Sequence, residues 1–410
     1  MSSKPLAYQA FRRIMFARVI SGAGSTMQAV AAGWLVLMMT GNPMDVGILA
    51  ALGLAPSLIG SPVGGALADR FCPRKLITTL SIIQTIPATI MAVLAFTGTL
   101  TVPLIFILIL AGAIPGSMKK PITSLVIPFT VPESVRPKAV ASSSAIYNIA
   151  LFVGAIAGGS VVQFIGAGSA FAFNAASFVV SGVIFATSAV LQSACDMAKA
   201  HRESSFKEGL QQGWDFPIFR SVIFGAGVFF LLVAPINQLM VVLADDHGEG
   251  AMYLGVLLAA ITVGNMIGNR IYQARPDTMT HRQKSLAWGV ALAALVVFLL
   301  GFSHNLVVDL LLLTFLGISW EFIYVGGISS LQIDLPNDIR GRTIGLFYLI
   351  VSGGTALGAL MVGWLFQYFG VNPTLIVLGV LAGLVALFLV LRNSARSNPI
   401  PKPREAEVTD

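Results

Sequence analysis

Long apolar stretches separated by short polar ones run through almost the whole chain. Each holds about 20 mostly apolar residues, the length that an α-helix needs to cross a bilayer. The period-two alternation of barrel strands is absent, so the stretches predict membrane-spanning helices. The twelve predicted spans cover residues 14–39, 46–67, 76–98, 102–124, 139–163, 168–191, 218–242, 251–271, 284–302, 306–330, 343–366 and 372–391.

The longest polar interruption divides the chain into two halves of six predicted spans each. It covers residues 192–217 and carries both acidic and basic side chains. We interpret residues 1–191 and 218–392 as two six-helix bundles joined by this cytoplasmic linker. Residues 393–410 contain three prolines and mixed charge, which indicates a disordered cytoplasmic tail.

Composition supports a lipid environment for this chain. Hydrophobic residues make up 56% of the sequence and charged residues only 10%, whereas a soluble domain carries about 25% charged residues. The two cysteines, Cys72 and Cys195, are too few for a disulfide framework. Both fall on the predicted cytoplasmic side, where we expect free thiols.

Lysine and arginine occur on one side of the predicted membrane only. They lie in the even-numbered connections, in the termini, or in the halves of the spans nearest to these segments. The odd-numbered connections lack both residue types and carry Asp45, Asp245, Asp246 and Glu249 instead. The positive-inside rule therefore predicts a multi-pass protein of the plasma (inner) membrane with both termini in the cytoplasm. This placement explains the net charge of +7 without a nucleic-acid partner.

The two halves share an internal repeat. Residues 131–166 align without gaps to residues 335–370, and the same offset also matches glycines in the second and eighth spans. Matched spans lie six apart, which gives both halves the same topology and predicts a parallel repeat about an axis along the membrane normal. The matched pairs include Pro132 with Pro336, Arg136 with Arg340, Gly154 with Gly358, Gly159 with Gly363, Gln163 with Gln367, Gly60 with Gly264 and Gly64 with Gly268.

The connection between the second and third spans resembles a known signature. It begins at Gly65, continues through Leu67-Ala68-Asp69-Arg70, and ends on Arg74 and Lys75. This pattern is similar to the signature loop of the major facilitator superfamily, although Cys72 and Pro73 replace an expected glycine and a basic residue.

Two further segments narrow the resemblance to one bacterial branch. The opening that begins at Arg18, and the segment Arg340-Gly341-Arg342 before a glycine-rich eleventh span, are similar to siderophore exporters, macrolide efflux pumps and lysophospholipid transporters. The resemblance implies an all-α integral membrane fold of twelve helices in two pseudo-symmetric six-helix bundles.

The resemblance also implies a conformational latch at the cytoplasmic side. Its residues would be Gly65, Asp69, Arg70, Arg74, Arg340 and Arg342. In the family, the acid matching Asp69 faces the start of the eleventh helix, where the helix dipole favours negative charge. The basic residues would pair with acids of the other half in one conformation only. An alternative is that they form a solvated loop on the positive side.

Glycines in the fifth span resemble the gating motif of drug exporters. They are Gly154, Gly158 and Gly159, and Ala155 stands where that motif has a proline. Small residues at this spacing also allow close helix packing, whether or not they gate transport.

Charged residues inside predicted spans are candidate functional groups, because they are costly in a membrane. In the family, spans 1, 4, 7 and 10 line the central cavity, and Glu321 lies well inside the tenth. We expect Glu321 to bind the coupling proton, with the alternative that it is a structural partner of a lysine. Arg18, Lys119 and Lys120 would form a basic wall that favours an anionic substrate, or would extend to the interface. Neighbours on a helix point about 100° apart, so at most one of the two lysines faces the cavity.

Several uncharged side chains are further candidates for substrate contacts. Gln28, Asn237 and Gln238 are polar, and Trp320 and Tyr324 could stack on an aromatic substrate. The alternatives are helix bridging by the polar residues and plain packing by the aromatic ones.

These patterns favour a secondary active transporter over an enzyme. No phosphate-binding loop, metal-binding cluster or nucleophile motif occurs, so we expect no catalytic site, metal or cofactor, and the proton gradient as energy source. The favoured interpretation is a monomeric, proton-coupled exporter of a small amphipathic molecule, a siderophore or drug, by alternating access. Alternatives are a lysophospholipid or lipid translocator, and a non-transporting membrane sensor or secretion component.

Overall fold

The computed structural model describes residues 4–188, 214, 216–248, 250–275, 278–335 and 337–394. The structure is 90% helix, with no strand among these residues. Most of the predicted linker, the tail from residue 395 and Cys195 lie outside the described residues.

Six helices form the first half. α2 is interrupted at Ala55 and Pro56, and Pro62 lies in its second part. The bounds are α1 Gln9–Thr40, α2 Pro43–Leu54 and Ser57–Arg70, α3 Pro73–Phe96, α4 Val102–Val126, α5 Arg136–Phe164 and α6 Ala167–Ala186.

The second half also has six helices, two of which contain a π-helical turn. These turns span Phe229–Val233 in α7 and Ile350–Gly354 in α11, and they contact each other. The bounds are α7 Pro217–Asp246 with a break at Leu239, α8 Ala251–Gln273, α9 Met279–Leu300, α10 Leu306–Ile333, α11 Asn337–Phe369 and α12 Val371–Ser394.

Eleven of the described helices are long and apolar enough to cross a membrane. The exception is α9, whose apolar part, Lys284–Leu300, is shorter. The all-helical membrane fold is therefore confirmed, whereas the exact count of twelve spans stays a prediction.

Helix pairing follows the same plan in both halves. In the first half α2 packs on α4, α3 on α4 and α6, and α1 on α5 and α6. The equivalent pairs in the second half are α8 with α10, α9 with α10 and α12, and α7 with α11 and α12. Between the halves, α5 packs on α8 and α2 on α11, which is the same contact made twice.

Matched glycines make matched contacts, which is the physical reason for the repeat. A Cβ on Gly154 would lie 2.7 Å from the Ala23 carbonyl oxygen of α1, and one on Gly358 would meet the backbone of α7. A Cβ on Gly159 would lie 2.5 Å from the Ala251 carbonyl oxygen of α8, and one on Gly363 would lie 3.0 Å from the Pro43 carbonyl oxygen of α2. The glycines therefore permit backbones to touch at equivalent places.

These contacts between the halves lie at one end of the bundle. We call it the acidic end, because it holds the connections without lysine or arginine, and we call the opposite end the basic end. At the acidic end, the Gln163 side chain accepts a hydrogen bond from the Ala251 backbone N–H at 2.9 Å. The first turn of α8, which belongs to the second half, is thus capped by a side chain of the first half.

One expectation about cysteine is wrong. Cys72, at the N-terminus of α3, is disulfide-bonded in the structure rather than a free thiol. The other cysteine, Cys195, falls outside the described residues. Counting cysteines excluded a framework of several bridges, but it gave no information about spatial proximity.

Candidate functional site

Arg18 is held in place by two side chains of α5. Its Nη1 donates to Ser143 Oγ at 2.9 Å. Its guanidinium carbon lies 4.7 Å from the centroid of the Tyr147 ring, a distance at which cation–π attraction is significant. The α1 helix places Arg18 nine residues from its start, or about 13 Å from the basic end at 1.5 Å per residue. Ser143 and Tyr147 were not singled out by the sequence.

The neighbouring lysines of α4 point in different directions. Lys119 is buried inside the first half, where its Nζ donates to Gln84 Oε1 at 3.3 Å and lies 5.2 Å from the Phe178 ring centroid. Lys120 is exposed. The two lysines therefore lie in different surroundings, and only Lys119 is enclosed within the first half.

Glu321 occupies a half-buried position on α10. Its Cβ packs close to Gly268 of α8, where a Cβ would lie 3.1 Å away. One turn further on, the Tyr324 ring lies beside that of Tyr348 of α11, with the ring centroids 6.5 Å apart. No ion pair of Glu321 occurs among the described side chains.

Trp320 lies beside Glu321 on α10 but faces other aromatic residues. Its ring centroid is 5.5 Å from that of Phe229 and 5.4 Å from that of Phe230, both edge-to-face. This contact anchors α10 to the π-helical turn of α7.

The polar candidates are divided between bridging and half-exposed positions. Gln28 Oε1 accepts a hydrogen bond from the buried Asn174 of α6 at 2.7 Å, so Gln28 bridges two helices of the first half. Asn237 and Gln238 are half-buried and follow the π-helical turn of α7.

The predicted latch residues are only partly described. A Cβ on Gly65 would have no neighbour within 4 Å. Arg74 donates to the Ala186 carbonyl oxygen of α6, a contact within the first half, and Arg70 is exposed. The side chains of Asp69, Arg340 and Arg342 lie outside the described part of the chain.

The predicted gating glycines face two different helices. Gly154 and Gly158 approach α1, where a Cβ on Gly158 would lie 2.9 Å from the Met27 Cα. Gly159 approaches α8 of the other half. The motif therefore serves both the interior of one half and the contact between the halves.

A buried polar cluster at the acidic end was missed by the sequence. Asp309 Oδ2 lies 3.3 Å from His247 Nδ1 and accepts a hydrogen bond from the Tyr253 hydroxyl at 3.1 Å. Asp309 has no exposed surface, and the His304 ring centroid lies 5.9 Å from that of His247. The cluster joins the ends of α7, α8 and α10. The signal available in the sequence was an acidic residue, Asp309, in the first turn of the tenth predicted span.

A second ion pair joins α9 to the end of α10 at the basic end. Arg282 is buried and binds Asp334, with its Nε 3.2 Å from Asp334 Oδ2. The sequence placed both residues in loops or at helix ends and gave no reason to pair them.

This arrangement of two repeated helical halves, joined by contacts of α5 with α8 and of α2 with α11, is typical of membrane transporters that work as paired bundles. The family described as "Transmembrane secretion effector" (MFS_3) matches residues 1–407, and the chain belongs to this family of the major facilitator superfamily. The family assignment made from the signature loop is confirmed.

Named relatives and solved structures agree with this assignment. The chain is 24% identical over 399 residues to the "Multidrug efflux pump Tap" of Mycolicibacterium fortuitum, covering 92% of this chain and 94% of the relative. Its fold is similar to that of the nucleoside transporter NupG, with a TM-score of 0.71, 11% identity, and coverage of 95% and 100% of the two chains. It is also similar to a bacterial homologue of the lysosomal transporter Spinster, with a TM-score of 0.63, 16% identity, and coverage of 96% and 98%.

Proposed function

We propose that this protein is a secondary active exporter that expels a small amphipathic molecule, such as a siderophore or a drug, in exchange for protons. The observation that carries the proposal is the close approach of α5 to α8 and of α2 to α11 at the acidic end, among the residues that the structure describes. With the basic end in the cytoplasm, this contact closes the bundle towards the outside. The relationship to pumps named for multidrug efflux supports the outward direction.

Glu321 is the proposed proton carrier. It is half-buried on α10 with no ion pair among the described side chains, so protonation can relieve the cost of its charge inside the membrane. Tyr324 follows Glu321 by one turn of α10, and its ring packs beside that of Tyr348 of α11, a helix that also contacts the first half. A change in the charge of Glu321 can therefore reach the contact between the halves. The protein acts as a monomer in the inner membrane with both termini in the cytoplasm.

The test measures proton movement evoked by transported dyes. Proteoliposomes in lightly buffered medium would receive ethidium, rhodamine 123 or fluorescein while a glass electrode follows external pH. We expect dye-evoked proton movement in the wild type, its loss in Glu321→Gln, and its retention in Glu133→Gln, a matched change at an exposed carboxylate of the basic end. Dye transport without proton movement would refute the coupling. If no dye moves but labelled lysophosphatidylglycerol crosses the bilayer, the lipid-translocator alternative replaces the export of soluble molecules.

A further inference from the structure

A cavity opens at the basic end of the first half, where α3 packs on α6. Its volume is about 420 Å³. Among the described residues that line it, two are cationic and two carry hydroxyls, whereas none carries a carboxylate. The lining residues are Cys72, Arg74, Lys75, Thr78, Thr79 and Ala186. The cavity therefore presents positive charge and hydrogen-bond donors to its occupant.

Hydrogen bonds to the end of α6 hold two arginines at this place. Arg74 donates from its guanidinium to the carbonyl oxygen of Ala186, the last residue of α6. Arg13 of α1 donates from Nη2 to the hydroxyl of the next residue, Thr187, at 3.1 Å. A guanidinium has five N–H groups, so each bond fixes its arginine and leaves donors for an oxygen-rich anion. Three helices thus bring cations to one small region.

An apolar stripe on the outer surface of α3 continues directly from this cavity. Lys75 and Thr79 are exposed, and the exposed positions go on at helical spacing. The residues of this stripe are Ile82, Ile86 and Ile90. On α6, the exposed Val183 lies one turn before Thr187. The surface therefore changes from cationic to apolar along one face, and from Thr79 to Ile90 it extends about 16 Å at 1.5 Å per residue.

We propose that this surface binds an anionic phospholipid of the leaflet at the basic end, with its phosphate among Arg13, Arg74 and Lys75 and an acyl chain along the stripe of α3. A phosphate accepts charge-assisted hydrogen bonds from guanidinium and ammonium groups, and basic pockets between spanning helices suit anionic headgroups. The stripe favours a lipid over a soluble phosphate, because a lipid carries the anion and the acyl chain together. The bound lipid would link α1, α3 and α6, and this role is independent of the proposed export.

Native mass spectrometry of the full-length protein in detergent would test this site, by titration with phosphatidylglycerol and phosphatidylcholine that carry identical acyl chains. We expect the wild type to bind phosphatidylglycerol at least fivefold more tightly. Lys75→Gln should weaken phosphatidylglycerol binding about fivefold, the contribution of one lysine near an anionic lipid, and leave phosphatidylcholine within twofold. Lys75→Arg should retain binding, which separates loss of charge from loss of folding. Lys138→Gln is the matched control and should change neither lipid, because Lys138 is exposed at the basic end but does not line the cavity.

Competition with glycerol 3-phosphate identifies the source of the phosphate. At the same concentration as the lipid it should not displace phosphatidylglycerol, because it has no acyl chain for the stripe to contact. Displacement would make the ligand a soluble phosphate and overturn the proposal. Equal affinity of the wild type for the two lipids would also overturn it. Equal weakening by Lys75→Gln and Lys138→Gln would do the same, since it would mean that the whole basic surface attracts the lipid rather than this cavity.

Discussion

Adjacent residues can have opposite roles when they lie on a helix, as Lys119 and Lys120 show. From the sequence, either lysine could face the cavity. Helix geometry fixes the angle between neighbouring side chains, but it does not fix how the helix is rotated about its own axis. The structure decides the matter through Gln84 and Phe178, which receive Lys119 inside the first half. These partners come from α3 and α6, so no local pattern around Lys119 could have identified them.

The cluster of His247, Tyr253 and Asp309 shows the same limitation for partners distant in sequence. Each residue is unremarkable alone, lying in a loop or a first helical turn. Only the packing of three helix ends makes them one buried network. The sequence could have flagged Asp309 as an acid in the first turn of a span, where the helix dipole favours it, but not its histidine.

We predict that Asp309→Ala destabilises the protein by about 3 kcal/mol, because it leaves His247 and the Tyr253 hydroxyl buried without their common acceptor. Thermal unfolding in detergent, followed by intrinsic fluorescence, would measure the shift in Tm. Asp245→Asn is the control, since Asp245 is an exposed acid at the same end and should leave Tm unchanged. Equal Tm values for wild type and Asp309→Ala would mean that the network contributes nothing to stability.

At the scale of helices, the sequence predicted which glycines lie at close helix contacts. It did not predict where the helices depart from regular α-helical geometry. The repeat paired Gly154 with Gly358 and Gly159 with Gly363, and each pair makes equivalent backbone contacts. Apolar periodicity gave no indication of the π-helical turns in α7 and α11, because one extra residue per turn depends on what packs around the helix.

Gly159→Ala should open the acidic end. The added methyl group would lie 2.5 Å from the Ala251 carbonyl oxygen, so the closed contact between α5 and α8 loses about 1–3 kcal/mol through overpacking. Double electron–electron resonance would measure the distance between spin labels at Ile165 and Phe302 in a protein without native cysteines. We expect Gly159→Ala to show a larger long-distance population than the protein with Gly159. Gly227→Ala is the control, because a Cβ there meets nothing within 4 Å. Identical distance distributions in the two variants would contradict a role for this contact in closure.

At the scale of the whole molecule, the charge asymmetry and the packing asymmetry coincide. Among the described residues, the close glycine contacts between the halves lie towards the end without lysine or arginine. The first asymmetry can be read from the sequence, because loop charge determines orientation during insertion. The second cannot, because the internal repeat is equally compatible with a bundle closed at either end. Only the positions of the close glycine contacts distinguish these states.

A single cysteine at position 120 would test orientation and conformation together. In a background without native cysteines, Lys120→Cys should react with a membrane-impermeant maleimide at least tenfold faster in inside-out than in right-side-out vesicles. The physical reason is that the proposed state admits reagent from the basic end, which in the proposed orientation faces the medium in inside-out vesicles. Lys119→Cys should react slowly in both, because Lys119 is buried. Faster labelling in right-side-out vesicles would mean either that the basic end faces outside or that the acidic end is open in the membrane. The same experiment with Lys75→Cys, an exposed position at the basic end, would decide between these two explanations.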